Sequence, residues 1–186
     1  ATNRTVVTFV GEPVKVVDAA VTLGRKAAEL IDMSRHTGEH PRFGAMDVCP
    51  LVPVSGVSME ETVEYARELG RRLGEEAGLT IYLYEHAATS PERRNLAEVR
   101  AGEYEGLADK LKQPQWRPDF GPASFNAGAG ATAIGARDFL LFVEDLTAVF
   151  DGFKAVDIEA WGVKRNELRV VIGPNGAGKT TLCDLV

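Results

Sequence analysis

Apolar residues recur at helical spacing through residues 13–33, including Val17, Val21, Ala28 and Leu30, with Pro13 where a first turn tolerates it. The pattern predicts a long amphipathic helix, weakened slightly at Gly24. Ahead of it, the β-branched run 4–10 suits a buried strand closed by a turn at Gly11, Glu12 and Pro13. Residues 34–44 are polar and predict a loop. The apolar run 47–54 has strand length, and its prolines imply an edge or a bulge. Ser58 and Glu61 form a capping-box signature for a helix carrying Val63, Ala66, Leu69 and Leu73, which Gly78 ends. Residues 79–84 read as a third strand, and a short helix is expected near 104–111. Pro114, Pro118 and Pro122 mark an irregular loop that leads into glycine-rich residues 126–130. Residues 137–143 are apolar, and the texture changes near residue 142, where a boundary between units 1–141 and 142–186 is placed. Strands alternating with helices predict an α/β, or layered α+β, fold: a mixed β-sheet with helices on one face, followed by a partial P-loop segment.

Composition narrows the function classes. With 45% hydrophobic and 26% charged residues in 186, the chain reads as a globular protein able to bury a core. Its net charge of -6 argues against nucleic acid or an anionic membrane as partner, so an anionic ligand needs a local site. Two cysteines, Cys49 and Cys183, in apolar surroundings make a disulfide framework unlikely and fit a reducing, cytoplasmic setting. No stretch approaches the roughly 20 apolar residues of a membrane span, and no signal peptide precedes the first strand. The sequence starts without Met and stops in an apolar run, so both ends read as cuts through a longer protein.

Arg35, His36, Glu39, His40 and Arg42 crowd one loop between a helix and a strand. Imidazole suits general base work near neutrality, and a fixed guanidinium suits a substrate carboxylate. The alternative is a solvated, charged loop without chemistry. His36 to His40 also spells H-x-x-E-H, an inverted metalloprotease pattern that needs both histidines on one helical face. Gly38 between them and Pro41 after His40 oppose that helix, and no third ligand is evident. His86 stands alone and reads as structural.

Several blocks resemble the N-terminal subdomain of the formiminotransferase family. They are Thr2-Asn-Arg-Thr-Val-Val-Thr-Phe-Val-Gly11, Leu30-Ile-Asp-Met-Ser-Arg-His-Thr-Gly-Glu-His-Pro-Arg42, Met46-Asp-Val-Cys-Pro50, Arg100-Ala-Gly-Glu-Tyr-Glu105, Pro118-Asp-Phe-Gly-Pro122 and Gly130-Ala-Thr-Ala-Ile-Gly-Ala-Arg-Asp-Phe-Leu140. Blocks in family order over about 140 residues are more specific than any single motif. The resemblance implies transfer of a formimino group from N-formimino-L-glutamate to tetrahydrofolate, the cosubstrate, in histidine degradation. It makes His40 the catalytic residue, taking the proton from the attacking folate nitrogen as a tetrahedral adduct forms. By our own inference from their positions, Glu39 and Arg42 flank it as substrate-binding residues, the first orienting the ring and the second drawing in a carboxylate. The family's folate-contacting loop falls on Gly121, Pro122, Ala123, Ser124, Phe125, Asn126, Ala127, Gly128, Ala129 and Gly130. There Phe125 can stack on a planar ring, and Ser124 or Asn126 can bond pterin edges; composition alone leaves a flexible turn as an equal alternative. Family members begin some forty residues earlier and continue into a second subdomain across the substrate cleft. Little or no transferase activity is therefore expected of this chain alone, though a homo-oligomer would be compatible with the sequence.

The end of the chain carries a different signal. Gly173, Pro174, Asn175, Gly176, Ala177, Gly178, Lys179 and Thr180 form a full G-x-x-x-x-G-K-[ST] phosphate loop between a strand-like and a helix-like segment. Its amides would cradle phosphate, Lys179 reach the outer phosphates, and the Thr180 hydroxyl ligate magnesium, with Thr181 following. Together with residues 146–153, Glu167 and Leu168, this resembles the start of an ABC-transporter ATPase. The resemblance implies ATP with magnesium as ligands and Phe150, or else Phe153, as the aromatic stacked on adenine. Later elements of that family are missing, so binding without hydrolysis is expected. Three possibilities stand: a folate-dependent transferase fragment, a nucleotide-binding module, and a fusion of two gene fragments without activity.

Overall fold

The computed structural model describes residues 3–54, 56–138, 141–150 and 153–163. The chain divides into two compact units, Ala1–Arg137 and Asp138–Val186. The first is built from α1 (Pro13–Leu30), β1 (Val48–Leu51), α2 (Met59–Glu76), β2 (Thr80–Glu85), the short α3 (Leu96–Arg100), α4 (Glu103–Lys110) and β3 (Ala131–Ala136). In the second, β4 (Leu141–Phe150) and β5 (Phe153–Val163) pair antiparallel, and the texture change near residue 142 lies inside β4.

Two expectations about the sheet are corrected. The three strands of the first unit run parallel rather than mixed, in the order β1-β3-β2. Helices cover both faces rather than one. The alternation of β2 explains this, because successive side chains leave a strand on opposite sides. Ile81 and Leu83 join Ile134 and Ala136 beneath Val17 and Val21 of α1 and Leu69 and Leu73 of α2. Tyr82 and Tyr84 turn the other way, into a second cluster with Phe43, Val99, Leu107 and Ala133. Both clusters are fully buried at β2, so each face needs its own cover.

A third correction concerns residues 4–10, which form no strand. A β-branched run becomes a strand only where a neighbour takes its backbone hydrogen bonds, and among the described residues no strand runs beside it. Val6 and Val10 are 79% and 81% exposed. β3, the central strand, is not anticipated by the hydrophobic pattern because alanine and glycine dominate it. Small side chains are nevertheless what the position requires: a Cβ on Gly135 would sit 2.5 Å from ring atoms of Tyr84.

The helices match expectation closely. The capping box at Ser58 and Glu61 is formed in both directions, supporting the start of α2 by about 1 kcal/mol. Gly24 marks a close approach rather than a weak point, since a Cβ there would meet Leu73 and Met46. β1 lies at one sheet edge with Pro50 in it, as its prolines imply. Cys49 beside it is a free thiol that burial pushes up to about 11, leaving it unreactive near neutrality.

The far edge of β2 is closed by the segment before the glycine-rich loop. Ile81 exchanges backbone hydrogen bonds with Asp119 and Phe120, and the Asp119 carboxylate accepts from the Leu83 amide at 2.7 Å. Asp119 also pairs with Arg93 at 2.7 Å, both side chains being 7% exposed. Arg93 in turn donates to the carbonyls of Gln115 and Arg117. Lys110, pulled down to about 8 by burial, donates to the carbonyls of Glu98, Val99 and Ala101 and lies over the Trp116 ring. Together these buried cations fix residues 115–119. Removing one partner of a buried pair strands the other, so Arg93→Met should cost about 3–5 kcal/mol in urea unfolding. Arg67→Met, on the exposed face of α2, should cost no more than about 0.5 kcal/mol.

Candidate functional site

His40 lies in the loop that leaves α1 and enters β1, half-buried, between Arg4 and the backbone of its own proline neighbour. Its Nδ1 is 3.1 Å from the Pro41 carbonyl oxygen, which can only accept. That contact calls for a ring proton on Nδ1. One guanidinium nitrogen of Arg4 lies 2.6 Å from Nε2. The same nitrogen is 3.0 Å from Nδ1, so the guanidinium sits over the ring face rather than in line with either ring nitrogen.

Behind the histidine sits Asp47, whose Oδ2 is 2.7 Å from Arg100 and 3.5 Å from Arg4. Arg100 also donates to the Pro41 carbonyl at 2.6 Å. Burial raises the Asp47 carboxyl above the usual carboxylate range, against the pull of Arg100 and Arg4. Its Oδ1 is buried without a hydrogen-bond partner. Arg4, Asp47 and Arg100 escape a motif-based search because their chain separation conceals their meeting. The only available signal is that all three fall inside blocks shared with the formiminotransferase pattern.

The flanking residues take other places than expected. Glu39 is exposed and, among the described residues, makes no hydrogen bond or ion pair; the groups in contact with the His40 ring are the Pro41 carbonyl and Arg4. Arg42 is not an open anion site. Its guanidinium donates to the carbonyls of Met33 and His36, pairs with Glu105 and lies 4.8 Å from the centre of the Tyr104 ring. It clamps the loop. Glu105 is held below the usual carboxylate range mainly by that hydrogen bond. His36 is exposed and meets Asn3 at 3.2 Å, and no metal-holding cluster of His, Cys, Asp or Glu occurs among the described residues.

The glycine-rich loop is brought directly against the histidine loop. Met33, Ala45 and Ala131 amides donate to the carbonyls of Gly128, Ala129 and Phe43 at 2.8, 2.8 and 3.0 Å. Gly44 and Gly130 form an isolated antiparallel bridge, with Gly130 at a φ of 66° that favours glycine. The Tyr104 hydroxyl donates to the Ala127 carbonyl at 2.6 Å, and its ring lies 5.5 Å from that of Phe125. Asn126 spends its side-chain oxygen on the amides of Gly128 and Ala129, shaping its own turn. Gly121 passes tightly by Leu79, and the Pro122 carbonyl accepts from Thr80. Ala123 and Ser124 are exposed, and Phe125 is 39% exposed. The loop is an ordered turn with one aromatic face open. Phe150 lies in β4, while the phosphate-loop residues Gly173 to Thr181 fall outside the described residues.

A Cβ on Gly44 would overlap the carbonyl oxygens of Ala131 and Ala129. Gly44→Ala should therefore lower the urea midpoint by an amount worth about 1–3 kcal/mol. Gly106→Ala, in α4 with open space around it, should be neutral or stabilising by up to about 1 kcal/mol.

No helix among the described residues is long and apolar enough to cross a membrane. Residues 1–137 match the family described as the formiminotransferase domain, N-terminal subdomain. The chain is similar to formimidoyltransferase-cyclodeaminase of Mus musculus, with 58% identity over 141 residues, covering 76% of this chain and 26% of that protein. It is similar to glutamate formimidoyltransferase of Thermoplasma acidophilum, with 52% identity over 141 residues, 75% of this chain and 46% of that protein. A formimidoyltransferase-cyclodeaminase of Dictyostelium discoideum aligns along 96% of this chain, at 46% identity, and 31% of its own length. The chain thus spans between about a quarter and a half of these relatives, and over residues 1–137 it belongs to the formiminotransferase family as its N-terminal subdomain.

Proposed function

We propose that the first unit carries the catalytic base and the folate loop of a glutamate formiminotransferase. Support comes from one observation above all: the loop that holds His40 and the loop that holds Phe125 are hydrogen-bonded to each other, so a base and a stacking face belong to one rigid piece. The names of the relatives supply the reaction class.

In the proposed reaction a ring nitrogen of tetrahydrofolate attacks the formimino carbon of N-formimino-L-glutamate. The new nitrogen–carbon bond forms as the His40 imidazole accepts the proton of the attacking nitrogen through Nε2, with Nδ1 turned to the Pro41 carbonyl. The adduct collapses by breaking the bond to the glutamate nitrogen, and the proton held on His40 is available to that leaving amine. Phe125 offers a face to the pterin, with the tilted Tyr104 ring beside it. Arg4, rather than the clamped Arg42, is the cation nearest the base and is placed to meet a substrate carboxylate. A reducing, cytoplasmic setting belongs to the same proposal.

His40→Ala should lower formimino transfer to tetrahydrofolate by about 10²–10⁴-fold, the usual worth of a positioned base. Equal rates in the two proteins would contradict the role of His40. Phe125→Ala should weaken tetrahydrofolate binding, followed by calorimetry, by about three- to tenfold, the range of an aromatic stack.

A second activity is proposed for the carboxy-terminal segment on the strength of its complete phosphate-loop sequence: binding of ATP through Lys179 and Thr180. The antiparallel β4–β5 pair before it is compatible with the opening of an ATPase domain. ATP affinity, measured by calorimetry with magnesium present, should fall at least about tenfold in Lys179→Ala.

A further inference from the structure

Phe125 is the aromatic face proposed to meet the pterin, yet it stands in a stretch, residues 121–127, that is exposed throughout. A ring on such a stretch turns among its rotamers, and ligand affinity falls with the fraction of molecules in which the ring is correctly set. Tyr104 supplies what the stretch lacks. Its ring centre lies 5.5 Å from that of Phe125, with the planes tilted by 52°. Tyr104 is itself only 9% exposed and is fastened in turn. Its amide donates to the Arg42 carbonyl at 2.8 Å, its ring centre lies 4.8 Å from the Arg42 guanidinium carbon, and its hydroxyl donates to the Ala127 carbonyl at 2.6 Å. Burial raises that hydroxyl above the usual tyrosine range, so it remains a donor. One side chain thus grips the glycine-rich loop on either side of Asn126, while Arg42 of the histidine loop holds it.

We propose that Tyr104 is a positioning residue for the folate site: it holds the Phe125 ring in the orientation that stacks on the pterin, before the ligand arrives. The backbone ahead of it supports this role. Gly102 and Glu103 both have left-handed φ, 84° and 55°, a conformation that a glutamate rarely adopts. It falls immediately before the residue whose amide reaches Arg42, where α4 begins. The two parts of the side chain have separate tasks: the ring positions Phe125, and the hydroxyl holds the turn at Ala127. The inference rests on the reading of residues 121–130 as the folate loop, and the experiment separates the two.

The test is a double-mutant cycle on the full chain, with tetrahydrofolate affinity measured by anaerobic calorimetry and folding checked by urea unfolding. Tyr104→Leu, which keeps the bulk but not the ring, should weaken binding about two- to tenfold, the range of an aromatic pair. Tyr104→Phe, which keeps the ring, should bind like the wild type. In the Phe125→Ala background Tyr104→Leu should have no further effect, because no ring is left to position. A merely structural role would instead lower affinity by the same factor in both backgrounds. Should Tyr104→Leu fail to fold, three-bond side-chain couplings of Phe125 in the ligand-free wild type decide: one χ1 rotamer is expected, and rotamer averaging would overturn the proposal. Loss in Phe125→Ala without loss in Tyr104→Leu, equal losses on both backgrounds, or a loss in Tyr104→Phe as large as in Tyr104→Leu would each overturn the positioning role alone. A wild type that binds no tetrahydrofolate, or Phe125→Ala without effect, would sink the folate-loop reading and this inference with it.

Discussion

The site depends on a backbone crossing between two loops that are about 90 residues apart in sequence. Gly44 and Gly130 pass so closely that neither tolerates a Cβ, and the amides of Met33, Ala45 and Ala131 close the contact on either side. Ala131 is also the first residue of β3, the central strand, so the crossing is continuous with the most buried part of the sheet. A histidine on a free loop would sample many positions. Here the loop is fastened to β3 a few residues after His40, and the sheet holds the histidine in place.

The same logic accounts for the buried cations on the second face. Arg93 and Lys110 do not approach His40; they bind carbonyls and Asp119 and so fix the chain that becomes the glycine-rich loop. Arg42 performs the equivalent task on the histidine loop, with Tyr104 lying between the two, its face under Arg42 and its hydroxyl on Ala127. Arg42, Arg93 and Lys110 are thereby all held by groups of the fold itself. The cation beside His40 is Arg4, paired with Asp47.

What could be read from the sequence divides along physical lines. α1, α2 with its capping box, β2 and α4 were legible because each is specified locally, by periodicity or by residues three or four apart. β3 was not, because its small residues answer to the Tyr84 ring above them and to strands on both sides rather than to any strand preference of their own. Residues 4–10 misled for the opposite reason: their β preference is strong, but a strand is a property of a pair. His40 and the loop at residues 121–130 were found through blocks of similarity, and the structure joins them. Glu39 and Arg42 received roles from adjacency in sequence, whereas the groups that contact the ring, Arg4 and the Pro41 carbonyl, are set by the fold and by backbone geometry.

The central claim is that the histidine loop and the glycine-rich loop behave as one piece with the sheet. Native-state amide hydrogen exchange tests it directly. The amides of Met33, Ala45 and Ala131 should exchange as slowly as that of Ala133 inside β3, because opening any of them requires opening the sheet. Exchange of Met33 and Ala45 at the rate of exposed loop amides, with Ala133 still protected, would contradict the account.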